Sequence, residues 1–340
     1  MKKQIVASGL FLFSFLLPLK ATASTFSFSG MYVFGDSISD QGNIFNVTLE
    51  ATGSGFPPPP YFEGRFSNSS NWIDYLAQDL GLNPIASTNL TPGVTPTQGV
   101  NFAFGGATTG IDNTGAPELP GLQQQIALFE SILPPNQLAD PNALYIVWAG
   151  ANDYLPTDST TFTPFETTDQ TINNLSNALD SLVEIGAKNI MFVNLPDLGE
   201  IPRTLNTPLA ENLNDLTTVH NQQLENLGQG LGADINFISL DINSLVNEAL
   251  QGQLGFTNVT EVCLNNLECA ANPEVQQQFF FWDDLHPTTR AHRLVGDLAL
   301  NALEPQPPAS VPEPTSVLSL LAFGASGVAF VLKRRKLMRV

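Results

Sequence analysis

Met31-Tyr32-Val33-Phe34-Gly35-Asp36-Ser37-Ile38-Ser39-Asp40 joins a short apolar run to a Gly-Asp-Ser turn. An apolar run of this length, bounded by a turn signal, reads as a strand buried on both faces. The serine directly after it stands where a sharp turn can lift a hydroxyl above a sheet, its own N–H pointing into the same space. Similar runs recur outward from this one, at residues 100–104, 143–148, 190–194 and 235–240. Helix-like segments lie between them, at 71–80, 122–133, 171–185, 212–227 and 242–251, and a last helix runs from Pro287 to about residue 303. Ile172, Leu175, Leu179, Leu182 and Val183 share one helical face, the amphipathic cover that a sheet requires. Strands alternating with helices predict an α/β domain with about five parallel strands in a three-layer α/β/α sandwich. No fixed-period repeat occurs, which argues against solenoids and propellers.

In parallel sheets of this kind, reactive groups collect in the loops at the carboxyl ends of the strands. Gly35-Asp36-Ser37, Gly105-Gly106 and Gly150-Ala151-Asn152-Asp153 are all expected at that edge. Two stretches break the alternation. Residues 47–68, with Pro57-Pro58-Pro59-Pro60, read as a surface loop near the first strand. Residues 252–278, which carry both cysteines, read as an insertion before the last helix. Both are candidates for shaping substrate access.

The chain of 340 residues carries 13 Lys+Arg against 32 Asp+Glu, a formal net charge of −19. Between the two termini the only basic residues are Arg65, Lys188, Arg203, Arg290 and Arg293. Such a body repels phosphate backbones and has no basic stripe, so nucleic-acid binding is set aside. Both ends read as addresses. Lys2-Lys3, an apolar run over 5–19 and Ala21-Thr22-Ala23 form a secretory signal, with cleavage expected after Ala23. The competing reading is a retained membrane helix, against which the run is short and interrupted by Pro18. A Pro-rich linker (305–314) leads to a second apolar run over 317–332 and the cluster Lys333-Arg334-Arg335-Lys336. Positive charge of this kind holds a helix end on the cytoplasmic side. Cys263 and Cys269 are the only cysteines, and in an oxidising compartment they are expected to pair. Two thiols with no nearby histidine cannot complete a metal site, so no metal or cofactor is called for.

A serine nucleophile needs a base, and the chain offers His220, His286 and His292. His220 lies in a helical segment, and its bland reading is a surface or half-buried structural residue. His292, flanked by Arg290 and Arg293, reads as another helix-face residue. His286 occurs in Trp282-Asp283-Asp284-Leu285-His286-Pro287, before a Pro suited to a helix start. A carboxylate three residues earlier can accept the Nδ1–H bond and leave Nε2 free to take the serine proton. Either aspartate could instead cap the helix; Asp284 is assigned that task, which leaves Asp283 for the triad. Donors for an oxyanion are available in Gly106, with no side chain to block its N–H, and in the Asn152 amide. Their dull alternatives are a tight turn at Gly105-Gly106 and a helix cap at Asn152-Asp153. The elbow pattern G-x-S-x-G is not met, because Ser39 stands at the second Gly, and an ordinary α/β-hydrolase is disfavoured.

Four blocks in this order resemble a GDSL-type esterase/lipase of the SGNH hydrolase superfamily. They are Phe34–Asp40, with Ile38 in place of the usual Leu, Gly99–Ala107, Gly150–Asp153 and Asp283–Pro287. Asn194–Gly199 also resembles a family segment. The resemblance implies a flavodoxin-like SGNH fold over residues 24–304. It implies Ser37 as nucleophile, His286 as base and Asp283 as its orienting partner, with the Ser37 N–H, Gly106 and Asn152 as the oxyanion hole. Spacing after Asn101 favours Gly106 over its neighbour Gly105, which stays open. Residues 315–340, preceded by Val311-Pro312-Glu313-Pro314, resemble a PEP-CTERM sorting tail, which in its family is cleaved by a dedicated membrane protease of Gram-negative bacteria. A plain single-pass anchor is the alternative.

The implied protein is an exported serine esterase acting on small, lipid or acylated-carbohydrate esters, processed by signal peptidase and a sorting protease. It would touch the membrane only through its C-terminal segment. Two other functions remain: acyl transfer by the same triad, and a glycan-binding envelope or matrix protein that has lost catalysis. The latter predicts damaged triad or oxyanion residues, and none is damaged.

Overall fold

The computed structural model describes residues 27–304. The expected signal, the linker and the C-terminal segment lie outside the described residues. The chain order is β1 (Met31–Gly35), α1 (Asn43–Thr52), α2 (Trp72–Leu80), β2 (Ile85–Ala86), β3 (Gly99–Asn101), α3 (Leu122–Ile132), β4 (Leu144–Trp148), α4 (Ala151–Tyr154), α5 (Asp169–Glu184) and β5 (Asn189–Val193). It continues with α6 (Ala210–Leu227), β6 (Asn236–Leu240), α7 (Ile242–Leu250), β7 (Asn258–Val262), α8 (Leu267–Ala271), α9 (Pro273–Gln276), β8 (Phe279–Phe281) and α10 (Thr289–Leu303).

The main sheet has six parallel strands in the order β2-β3-β1-β4-β5-β6. The strand expected to carry the serine is therefore central, with Met31 opposite Gly99 on one side and Leu144 on the other. Side-chain alternation sends each strand to two cores. Met31, Val33, Ile146, Trp148 and Met191 pack with α2, α7 and α10 residues such as Trp72, Val246 and Val295. Tyr32, Phe34, Tyr145, Val147 and Phe192 face the opposite layer, against Phe129 of α3 and Leu175 and Leu179 of α5. Burial on both faces explains why β1, β4 and β5 are unbroken apolar runs rather than alternating ones, whereas β6, also expected to be buried, is an edge strand in which only Leu240 is buried.

Four boundaries differ from the sequence expectation. The sixth strand, β2, is two residues long and offers no periodicity to detect. The run over 100–104 pairs as a strand only to Asn101, although the Phe102 and Phe104 N–H groups still donate to the Val33 and Gly35 carbonyls. Residues 47–52 are helical, not loop: α1 begins after a left-handed Gly42 that has no side chain to cap with, and its first N–H groups are taken by Asp40 two residues before that glycine, outside the usual cap position. The last helix starts at Thr289, with Thr288 rather than Pro287 before it.

The 252–278 insertion is more ordered than a loop. Its β7 pairs in parallel with β8, and a disulfide joins Cys263 to Cys269. Both sulfurs are buried beside Phe279 and Trp282, directly before Asp283. Among the described residues no helix is long and apolar enough to cross a membrane.

Candidate active site

The carboxyl ends of β1, β3 and β4 deliver Ser37, Gly106 and Asn152 to one edge, as the parallel-sheet rule requires. Gly35 ends β1 so close to β4 that a Cβ there would sit 2.2 Å from the Trp148 carbonyl oxygen. Gln125 of α3, itself buried, clamps the same residue: its carbonyl accepts the Gly35 N–H at 2.8 Å and its amide donates to the Gly35 carbonyl at 2.9 Å. The turn that follows is held from within. Asp40 accepts the N–H groups of Gly42, Asn43, Ile44 and Gly105. Burial nevertheless pushes its carboxyl up to about 6, against those bonds. Asp36, adjoining Ser37, is pushed up to about 6 for the same reason, its bond from the Ile38 N–H opposing the shift.

Ser37 and His286 are both buried, and His286 Nε2 lies 2.7 Å from Ser37 Oγ. On the other side of the ring, Nδ1 lies 2.7 Å from Asp283 Oδ2. Asp283 Oδ1 accepts the N–H of Leu285 at 2.8 Å and of His286 at 2.6 Å. Burial raises the Asp283 carboxyl, but the His286 charge and the bonds from His286 and Tyr61 outweigh it and hold the group well below the usual carboxylate range. It is therefore an anion aimed at Nδ1, the arrangement that leaves Nε2 to accept the serine proton.

Where an oxyanion would form, the N–H groups of Ser37 and Gly106 have no partner among the described residues. Of the two glycines, Gly105 has its N–H already given to Asp40 at 2.9 Å, which leaves Gly106 as the one with an unpartnered N–H among the described residues. Gly106 has φ +78°, and a Cβ there would meet Asn113 Oδ1 at 2.6 Å and the Gly115 nitrogen at 2.9 Å. Only glycine fits. Asn152 is less open than expected. Its amide donates to the Ala107 carbonyl at 3.0 Å and approaches Asp36 Oδ2 at 3.5 Å, so one proton is firmly committed and the other loosely held.

Several alternatives weighed from the sequence are corrected. Asp284 does not cap α10; it pairs with the Arg203 guanidinium at 2.9 Å. Asp153 does not cap a helix; buried, it accepts bonds from the Thr109 N–H and the Thr171 hydroxyl. His220 is fully buried rather than surface or half-buried, His292 lies on α10 as expected but is also fully buried, and burial pushes both down to about 3. Neither touches Ser37. Tyr61 and Phe66, both from the Pro-rich loop, were missed. The Tyr61 hydroxyl donates to Asp283 Oδ2 at 2.6 Å, and the Phe66 ring lies 4.9 Å from that of His286. No local pattern marks a contact between residues 222 positions apart.

Two cavities meet at Ser37 and Asn152. One is an open cleft of about 680 Å³ with a mixed wall that includes Thr114, Asp158, Arg203 and Phe56. The other is a narrow cavity of about 60 Å³ with an apolar wall built by Ile38, Leu195, Leu198, Ile242, Val246 and Phe281. Among the described residues, no group of three or more His, Cys, Asp or Glu side chains is placed to hold a metal ion.

The model of the GDSL-like Lipase/Acylhydrolase family matches residues 31–299. The chain belongs to that family. Its membership makes it an ester-hydrolysing enzyme, and the order of its four blocks agrees with that class. The PEP-CTERM protein-sorting motif matches residues 310–336. An uncharacterized protein from the trpE-trpG intergenic region of Pseudomonas putida is 32% identical over 84% of this GDSL chain, which spans 50% of that protein. A phosphatidylcholine-sterol acyltransferase of Aeromonas hydrophila is 27% identical over 85% of the chain and 94% of its own length. A crystal structure of a lipolytic G-D-S-L family member from Veillonella parvula aligns over 81% of this chain and 97% of its own, at 15% identity and TM-score 0.43.

Proposed function

We propose that this GDSL enzyme is an exported serine esterase that cleaves carboxylic esters through an acyl-enzyme. The observation that carries the reading is the continuous relay from Ser37 Oγ through His286 to Asp283, with 2.7 Å on each side of the imidazole. Ser37 attacks the carbonyl carbon as His286 Nε2 takes its proton, and Asp283 stabilises the imidazolium that results. The Ser37 and Gly106 N–H groups receive the oxyanion, joined by Asn152 once its loosely held proton turns from Asp36. His286 then protonates the departing alcohol, and water attacks the acyl carbon with His286 again as base.

The unequal cavities support a division of the substrate, with a small acyl part in the narrow apolar cavity and the alcohol in the open cleft of mixed lining. A signal cleaved after Ala23 and a tail over 315–340 that a sorting protease removes complete the reading. They would carry domain 24–304 to the envelope or exterior of a Gram-negative bacterium, the tail being its only, transient, membrane contact. A second reading, transfer to an alcohol acceptor by the same acyl-enzyme, is supported by the Aeromonas hydrophila relative, itself named as an acyltransferase.

The test is a panel of acyl esters of increasing chain length, on lipid, acetylated-sugar and aryl alcohols, with and without a sterol acceptor. Ser37→Ala is expected to lower kcat by roughly 10⁴-fold or more on every substrate that turns over. Undiminished turnover would end the assignment. Acyl-sterol formation at the expense of free acid would select transfer over hydrolysis.

A further inference from the structure

Asp283 has more donors than the relay needs. A carboxylate offers about four lone-pair sites, and here each is taken: Leu285 N–H and His286 N–H on Oδ1, His286 Nδ1–H and the Tyr61 hydroxyl on Oδ2. Three of these come from the catalytic loop itself. The fourth comes from the Pro-rich loop, and it lands on the oxygen that faces the imidazole.

The same loop grips the catalytic segment at further points. Phe66 packs on the His286 ring, Ser67 Oγ donates to the Pro287 carbonyl at 2.9 Å, and Asn68 Oδ1 accepts the Thr289 N–H at 2.8 Å. Residues 61–68 thus run alongside 283–289 from the triad aspartate to the start of α10. Tyr61 is held in turn by edge-on contacts of its ring with Phe66 and Trp282, the latter packed on the buried disulfide. Burial first, then the neighbouring Asp283 anion, push its phenol above the usual value, so it stays a donor.

We infer that Tyr61 is a positioning residue for the triad, and that the Pro-rich loop braces the catalytic loop through it as well as bordering the cleft. The inference rests on the proposed Ser37-His286-Asp283 relay. Oδ1 is pinned by backbone N–H groups, so the remaining freedom of the carboxylate is rotation that swings Oδ2 away from Nδ1. The Tyr61 O–H bond opposes that rotation. It also draws negative charge from Oδ2, which tempers the pull of the carboxylate on a protonated His286. The other charged or titratable groups facing the relay are Asp36 after β1, Asp158 across the cleft, Arg203 with Asp284, and His292 on α10.

The decisive variant is Tyr61→Phe in the full-length protein, which keeps both ring contacts and deletes only the hydroxyl. The readouts are kcat, KM and the pH profile of kcat/KM on a short-chain aryl ester, with active-site titration by an organophosphonate so that only folded molecules are counted. The expected result is a kcat lower by about tenfold with KM within about twofold, the size expected for one charge-assisted hydrogen bond. The acidic limb of the profile moves as well, because the contact between Oδ2 and the imidazole changes once the hydroxyl is gone. A parental kcat and profile would overturn the inference. So would a loss of folded enzyme with an unchanged profile, which would make Tyr61 a packing residue only. Ser37→Ala separates the two levels: if it is inert while Tyr61→Phe is parental, only this inference falls, and if it is active the relay itself falls.

Discussion

Ser37 and His286 face each other across 2.7 Å but hang from different kinds of structure. The serine end is an extension of the sheet: β1 is central, Gly35 lies against β4, Gln125 clamps it from α3, and Asp40 gathers four backbone N–H groups beneath the turn. The histidine end is built from side chains reaching between loops, through Tyr61, Ser67, Asn68 and the half-exposed Arg203–Asp284 pair. A proposed nucleophile fixed by backbone and core, and a proposed base fixed by side chains, give a site with one rigid partner and one adjustable partner. Changes at the first should cost folding; changes at the second should cost catalysis.

The largest expected effect comes from Gly35→Ala. Its new methyl would lie 2.2 Å from the Trp148 carbonyl oxygen, a backbone atom that cannot swing aside. β1 and β4 would have to part in the middle of the sheet. A loss of more than about 3 kcal/mol is expected, seen as a large fall in the thermal midpoint. A midpoint within about 2 °C of the parent would mean that the two strands are less tightly coupled than this geometry requires.

The same contrast explains what could be read from the sequence. That Ser37, Gly106, Asn152, Asp283 and His286 come together was legible because the task proposed for each restricts the residue type and ties it to a strand end or a short spacing. The Cys263–Cys269 pairing was legible from composition and compartment. Asp284 was misjudged because a carboxylate before a helix is an ordinary cap, and only the fold reveals that Arg203 is close enough to claim it. Gln125 and Tyr61 were invisible for a related reason: their partners lie 90 and 222 residues away, and neither has local company that hints at its use. β2 and α1 were missed because two residues cannot show a period and a helix that starts after Gly42, with Asp40 capping from further back, shows no ordinary boundary signal.

Acid should move the two ends in opposite directions, a middle-sized effect. Asp36 and Asp40 are raised by burial from 3.8 to about 6. A carboxyl raised on folding binds its proton more tightly in the folded state. Its contribution is complete below 3.8 and is lost as pH rises through about 6, on the order of 2–3 kcal/mol for each group at most. Asp283 is depressed, so its contribution is present above its ordinary 3.8 and is lost as pH falls through the lowered value. Hydrogen exchange, corrected for intrinsic rates, should therefore show amides 38–44 gaining protection between about pH 8 and pH 5 while 283–289 stay level. Strong acid should open 283–289 first. Level protection at both ends across the upper range would show that the buried carboxyls of the serine turn ionise without cost.

The smallest expected effect tests whether charge or contact matters at the histidine end. Arg203→Gln removes a guanidinium whose side chain is 32% exposed and is paired with an Asp284 side chain 50% exposed, where water screens the attraction. The Arg203 N–H still donates to the Asp284 carbonyl at 2.8 Å, a bond that the substitution keeps. Stability should fall by less than about 1 kcal/mol, and the difference should vanish near 1 M salt, where exposed charges are screened within about 3 Å. Turnover of a neutral ester should stay within about twofold, since side-chain bracing by Tyr61, Phe66 and Asn68 remains. Arg203 also faces the open cleft, however, which gives the experiment a second edge. A tenfold loss of kcat/KM that persists in high salt would mean that the guanidinium meets the alcohol part of the substrate. The histidine end would then be a place where binding and bracing compete for one side chain, while the serine end keeps its two tasks apart.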